Sequence, residues 1–360
     1  MTRLLALTIV GAVLTAAPAP LPQAGSGQPP FQNAKVEQRS ATSIDRELAS
    51  AGSSADPVWF GWRVPMIDGD RGCDTWINND IYFRGFVMES RGETPPATQP
   101  SGPARLEGGT GLVVFVRMIN GNVERLRGIN DGCPVDGGGR TVYWLNGITP
   151  AESLRYLQTF TQMDALNIDA RRNLASSALS AIALHRDPGA DAILDKLADS
   201  TGDSSMRSSA LRSLAAYRGQ HGFDKVKAAL ATERESSRRV SLVTALGQTR
   251  QPATADTLLN LARTDADPKV RAEAAYYYAA RAGVAGVGNL TSIIEQDQSD
   301  DVKRRAISGL NALPNNAGVE PLLKIARSSR NLALTKAAVS ALSSSKDPRA
   351  LAYMEELVKR

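Results

Sequence analysis

Histidine and cysteine are scarce in this sequence, with two of each among 360 residues. That scarcity excludes a good deal of chemistry. His185 and His221 each follow an expected helix end, and neither is followed by Glu, so no His-Glu pair and no His-Glu-x-x-His zinc motif is present. Cys73 and Cys133 lie far apart without nearby histidines and cannot complete a tetrahedral zinc shell. Gly-x-Ser-x-Gly and P-loop patterns are missing as well. The glycine run in GCPVDGGGR lacks the Lys-Ser/Thr that a phosphate loop needs, and it reads as a turn. In DGDRGCD, from Asp68 to Asp74, Gly72 and Cys73 fall where a calcium loop requires a ligand and its invariant glycine. The pattern names no catalytic residue, no metal site and no cofactor.

Charge imbalance is small too. A net charge of +5 is a surface preference on a chain this long, and it lacks the dense basic footprint of a nucleic-acid binder. Long apolar runs are confined to Leu4–Thr15, preceded by Arg3 and followed by small residues and prolines from Ala16 to Ala19. This is the layout of a secretory signal peptide over residues 1–19, with cleavage expected anywhere from 17 to 24. The run falls short of the roughly 20 residues that span a bilayer. The expectation is an exported chain, periplasmic or extracellular, without membrane insertion once the leader is cleaved. In that oxidising setting an even cysteine pair predicts one disulfide between Cys73 and Cys133. Closing so long a loop contributes about 4 kcal/mol in the chain-entropy picture.

What is present divides the chain. Residues 20–56 are rich in Pro, Gly, Ser, Ala and Gln and predict a flexible tether, in which Ser43–Ala49 could form a short helix. Residues 57–148 hold the runs VWFGWRV, IYFRGFVM, GLVVFVRMI and TVYWL and all four tryptophans, Trp59, Trp62, Trp76 and Trp144. They predict a small antiparallel β-rich domain. Asn120-Gly121 between two apolar-rich runs predicts a type I′ hairpin. At Thr149-Pro150-Ala151-Glu152 a capping box opens the helical region, 149–360.

That region repeats. Arg172, Arg207, Arg239, Arg271, Lys303 and Thr335 head the same frame, each with a small or apolar residue three and seven places on, at separations of 35, 32, 32, 32 and 32. A second apolar column runs ten places upstream through Leu197, Leu261, Ile293, Ile325 and Leu357, with Leu230 displaced by one. Each unit offers two short amphipathic helices that can bury their apolar faces only by stacking. The segments DADPKVRAEAAYYY and DDVKRRAISGL resemble HEAT repeats, in the short variety of the phycobilisome lyases. The resemblance covers about 150–360. It implies a mainly α protein: an α-solenoid of about six HEAT-like helix pairs, closed by a final helix, LAYMEELVKR. The last pair departs from the pattern, with Thr335 where the arginine is expected. The His-Glu pairs of the iron-binding HEAT-repeat hydroxylases are missing.

The column Arg172, Arg207, Arg239, Arg271 and Lys303 predicts structural contacts between repeats. Acids four places before it, at Asp203, Glu235 and Asp267, predict caps for the second helices. Five places after it stands a polar column of Ser177, Arg212, Thr244, Tyr276, Ser308 and Ser340. Arg212, Tyr276, Arg304 and Arg305 are the candidates for binding a partner, since Tyr and Arg are favoured at interface hot spots. The leading functional expectation is an exported, non-catalytic scaffold for protein–protein interaction. The alternatives are an enzyme or chromophore-attachment factor of the lyase type, or carbohydrate or envelope binding through Trp59, Trp62 or Trp76.

Overall fold

The computed structural model describes residues 27–68, 74–77, 80–84, 86–89, 109–162, 168–200 and 204–359. The leader and Cys73 lie outside the described residues.

The N-terminal part carries strands β1 (Phe31–Gln32), β2 (Lys35–Ser40), β3 (Val58–Pro65), β4 (Asp74–Ile77), β5 (Asp80–Arg84), β6 (Phe86–Val87), β7 (Gly111–Ile119), β8 (Asn122–Asn130), β9 (Val135–Asp136) and β10 (Thr141–Asn146), with helix α1 (Ile44–Ala51) between β2 and β3. Its main sheet has the order β2-β10-β3-β7-β8, and β1-β9-β6 and β4-β5 form smaller sheets. Asn120 and Gly121 both take positive φ, 49° and 76°, and join β7 to β8 as the Asn-Gly pair requires.

Two expectations are corrected. Residues 27–56 do not form a tether: β2 lies in the main sheet and α1 packs beside it, with Ile44 and Leu48 buried. The sheet is mixed, because β2, β10 and β3 run parallel and only β3-β7-β8 is antiparallel. Parallel neighbours need a crossover, and the β2-α1-β3 segment supplies one, with β10 inserted later from far along the chain. Pairing at that distance leaves no local signal.

Alternation along the strands fills both faces of the sheet. Trp59, Val113, Phe115, Val142 and Trp144 face the small β1-β9-β6 sheet, while Phe60, Trp62, Val64, Leu112, Val114 and Val116 face the helices. A strand buried on both sides reads as an unbroken apolar run, as β7 does.

Helices follow as α2 (Pro150–Thr161), α3 (Ile168–Leu184), α4 (Gly189–Ala198), α5 (Ser204–Tyr217), α6 (Gly219–Thr232), α7 (Ser236–Gln248), α8 (Thr254–Thr264), α9 (Pro268–Ala282), α10 (Val287–Gln296), α11 (Asp300–Asn311), α12 (Val319–Ser328), α13 (Leu332–Ser343) and α14 (Pro348–Lys359). They pair in sequence from α2/α3 to α12/α13, with α14 last, in a repeat-like stack. The frame residues Ala210, Leu214, Leu246, Ala274, Tyr278, Ala306 and Leu310 are buried between them.

The β-rich part and the stack share one core. Trp62 Nε1 donates to Ser153 Oγ at 2.9 Å, and Ser153 Oγ lies 3.1 Å from His185 Nε2. Ile67 N donates to the Leu184 carbonyl at 2.9 Å, and Arg186 N to the Pro65 carbonyl at 3.1 Å. Thr149 caps α2 at Glu152 N, 3.2 Å away, but Glu152 does not close the box. Its carboxylate accepts from Ile44 N at 2.9 Å instead, so it caps α1. The chain boundary near 146–149 is therefore not a boundary in packing: the sheet closes the N-terminal end of the helix stack.

Candidate functional site

Three members of the cation column, Arg207, Arg239 and Arg271, each tie their repeat to the next. Glu235 caps α7, accepting from Ser237 N and Arg238 N, and Asp267 caps α9 at Lys269 N. These caps start the second helices four residues before the column. From there Arg207 reaches Glu233 at 3.3 Å, Arg239 pairs with Asp265, and Arg271 grips Asp297 with two bonds at 2.8 and 3.1 Å. Every rung spans 26 residues. The same guanidiniums also donate to turn carbonyls of their own repeat: Arg207 to Ala198, Arg239 to Leu230 and Glu233, Arg271 to Asp265.

Burial works to raise the Asp297 pKa, yet the Arg271 bonds, the Ser299 N–H and the nearby Lys303 charge hold it below the ordinary value. Arg271 is raised in turn, chiefly by its bond to Asp297. Arg172 is exposed on α3 and makes no such rung among the described residues. Thr335, where the arginine is replaced, keeps a 3.4 Å bond to the Ser329 carbonyl.

The polar column lies on the second helices, and none of its members is buried. Between α7, α9 and α11 it borders a groove of about 600 Å³ whose charged lining is Glu235, Lys269, Glu273, Asp301, Arg304 and Arg305. Arg304 is exposed and pairs with Asp301 on its own helix. Arg305 lies 4.1 Å over the Tyr276 ring and 2.9 Å from Glu273. Glu273 also accepts from Thr244 Oγ1 at 3.0 Å. Three successive second helices are thus linked through Thr244, Glu273 and Arg305, with Tyr276 held under the guanidinium. Tyr277 packs on α7 where Gly247 leaves room: a Cβ there would stand 2.3 Å from the ring.

Of the expected binding residues, Arg304, Arg305 and Tyr276 come together. Arg212 does not join them; it is exposed on α5, bonded to Ser209 Oγ at 2.9 Å. Sequence reasoning missed Glu273 and Lys269. The signal for Glu273 was available, since an acid at 273 and a cation at 305 are one 32-residue repeat apart.

In the β-rich part, Glu89 accepts from Trp59 Nε1 at 2.8 Å and from Arg117 Nε and Nη2, each at 3.1 Å. Burial opposes ionisation of Glu89, but Arg117, Trp59 and Arg140 keep its pKa below the usual one. Trp59 and Trp62 are wholly buried, so neither ring can meet a sugar. The side chain of Trp76 lies outside the described residues. Cys133 is buried, and no described cysteine is free. Among the described residues no group of three His, Cys, Asp or Glu could hold a metal ion, and no helix is long and apolar enough to cross a membrane.

Residues 288–360 match the family model for HEAT repeats. A search of the curated proteins finds no match. Solved structures do match in part. Human deoxyhypusine hydroxylase in complex with glycerol is 16% identical with a TM-score of 0.29, covering 54% of this chain and 72% of that one. The complex of CpcE and CpcF of phycocyanin lyase from a Nostoc species is 16% identical at a TM-score of 0.32, covering 54% and 76%. The S. pombe condensin Cnd3-Cnd2 subcomplex is 17% identical at 0.26, covering 54% of this chain and 32% of that one.

Proposed function

We propose that this chain is an exported, non-catalytic scaffold that binds a protein partner in the groove between α7, α9 and α11. The observation that carries the reading is the groove itself. About 600 Å³ of open space is lined by charges of both signs, with Arg304 exposed and Arg305 fixed over Tyr276. A guanidinium already held by a ring and a carboxylate loses little freedom when a partner engages it, and Tyr and Arg are favoured at such contacts. The mixed charge suits a protein surface better than the phosphate backbone of a nucleic acid. The hydroxyl–imidazole pair Ser153–His185 is wholly buried beneath Trp62 and lends no support to the lyase-type alternative.

Export is supported by the leader-like residues 1–19, and a Cys73–Cys133 disulfide by the cysteine pair that goes with it. Alkylation without reductant followed by mass spectrometry tests the bond; recovery of both thiols alkylated would refute it.

The binding test is charge reversal at an exposed residue. Arg304→Glu is expected to lower capture of a partner from an envelope extract by roughly tenfold, while the melting temperature stays within about 2 °C. Normal capture by the variant would remove this groove from the account.

A further inference from the structure

We propose that the rung ladder ends in an unfilled position between α10, α11 and α12, and that a carboxylate presented by a bound protein completes it.

Four equivalent turns carry the argument. Glu233, Asp265, Asp297 and Ser329 each follow the first helix of a pair with nearly one backbone conformation, φ from −64° to −70° and ψ from 130° to 145°. In each, a side-chain oxygen accepts the N–H two residues on. The distances are 3.0 Å from Glu235, 3.0 Å from Asp267, 2.8 Å from Ser299 and 3.2 Å from Asn331. In the first three turns a carboxylate oxygen is also free to receive the column arginine 26 residues earlier. Ser329 has the turn-closing oxygen and lacks the second one.

Its column cation is still there. Lys303 stands 26 residues before Ser329, and among the described residues it forms no side-chain hydrogen bond or ion pair. Nearby Asp297 feels its charge but is already bonded to Arg271. Where the fourth carboxylate would lie, a cavity of about 350 Å³ opens, lined by Lys303, Ser329, Lys324 and Arg330. The single acid on its wall, Glu295, lies 3.8 Å from Lys324. Asn331 at its rim is bonded to Asp300 at 3.0 Å. Three cations against one acid favour an anion, and the volume is about ten times a water's share of roughly 30 Å³. The upstream rungs specify which anion: a carboxylate, received by the column cation. The cavity shares no lining residue with the α7–α9–α11 groove. The scaffold reading enters only in naming a protein as the bearer of the carboxylate.

The test therefore uses sodium acetate on the full chain, with sodium chloride and sodium phosphate at matched ionic strength, near pH 7. Acetate at roughly 100 mM is expected to raise the unfolding midpoint by about 2 °C more than chloride does. Ser329→Asp supplies the missing oxygen from within. It should raise the midpoint without acetate and abolish the acetate increment. Lys303→Met should abolish the increment as well, and it carries the test alone if the aspartate variant fails to fold. An increment unchanged in the variants, or none in the native chain, overturns the proposal. An increment with phosphate but not with acetate overturns the assignment to a carboxylate.

Discussion

His185 is a buried histidine with one partner. Trp62 donates to Ser153 Oγ, so the serine hydroxyl in turn donates to His185 Nε2, and Nδ1 carries the ring proton with no partner among the described residues. Burial lowers the His185 pKa to about 4, with Asp187 working the other way and Arg218 adding to the fall. The unfolded chain takes up this proton near pH 6.5. The folded chain resists it, so the stabilisation is whole above pH 6.5 and is lost as pH falls toward about 4. The loss amounts to roughly 3 kcal/mol. Urea midpoints for the native chain and His185→Gln should converge between pH 7 and pH 4.5; a constant gap would show that His185 does not titrate in this way. The sequence located His185 after a helix end, as found, but its neighbours Trp62 and Ser153 lie 123 and 32 positions away, and no local pattern joins them.

Elements were legible where their signal is periodic or local. The 32-residue frame marked the second helices, Thr149 marked the start of α2, and Asn120-Gly121 marked the hairpin, because each is decided by contacts within a few residues or one repeat. The β2-β10-β3 pairing was not legible: Lys35 meets Thr141 across 106 residues of chain. The span 27–56 looked like a tether because Pro, Gly, Ser, Ala and Gln together make up more than half of it, while its burial rests on few side chains, among them Ile44 and Leu48. At the candidate groove, Arg304 and Arg305 were visible as a basic pair, whereas Glu273, which orders Arg305, stands between the column cation Arg271 and the frame residue Ala274, and only its 32-residue spacing from Arg305 marks it.

The ladder gives a prediction at this scale. Asp297→Asn leaves the Arg271 guanidinium half-buried without its counter-charge and is expected to cost about 2 kcal/mol. Asp301→Asn, at an exposed pair, is expected to cost almost nothing. Chemical denaturation of both variants decides it; equal losses would mean that the rungs are no more than surface pairs.

At the scale of the molecule, the sheet closes the stack as a terminal cap, and its inward face shares a core with α2 and α3. A segment beginning at Gly147 would uncover Tyr156, whose ring packs on Trp62, and Ala181, which faces Gly128 of β8. Each such side chain contributes about 1–3 kcal/mol when buried. The isolated segment is expected to aggregate or to melt at least roughly 10 °C below the full chain. A segment as stable as the full chain would make the sheet an appendage.

The central functional proposal is that a protein partner occupies the α7–α9–α11 groove. A photo-crosslinking amino acid placed at Ser308, exposed on the groove wall, reads this directly, with Leu351 on α14 as the exposed site away from it. Illumination in the envelope extract is predicted to give one discrete crosslinked protein from position 308 and none from position 351. A crosslink from 351 alone, or none from 308 while the native chain still captures its partner, would contradict the account.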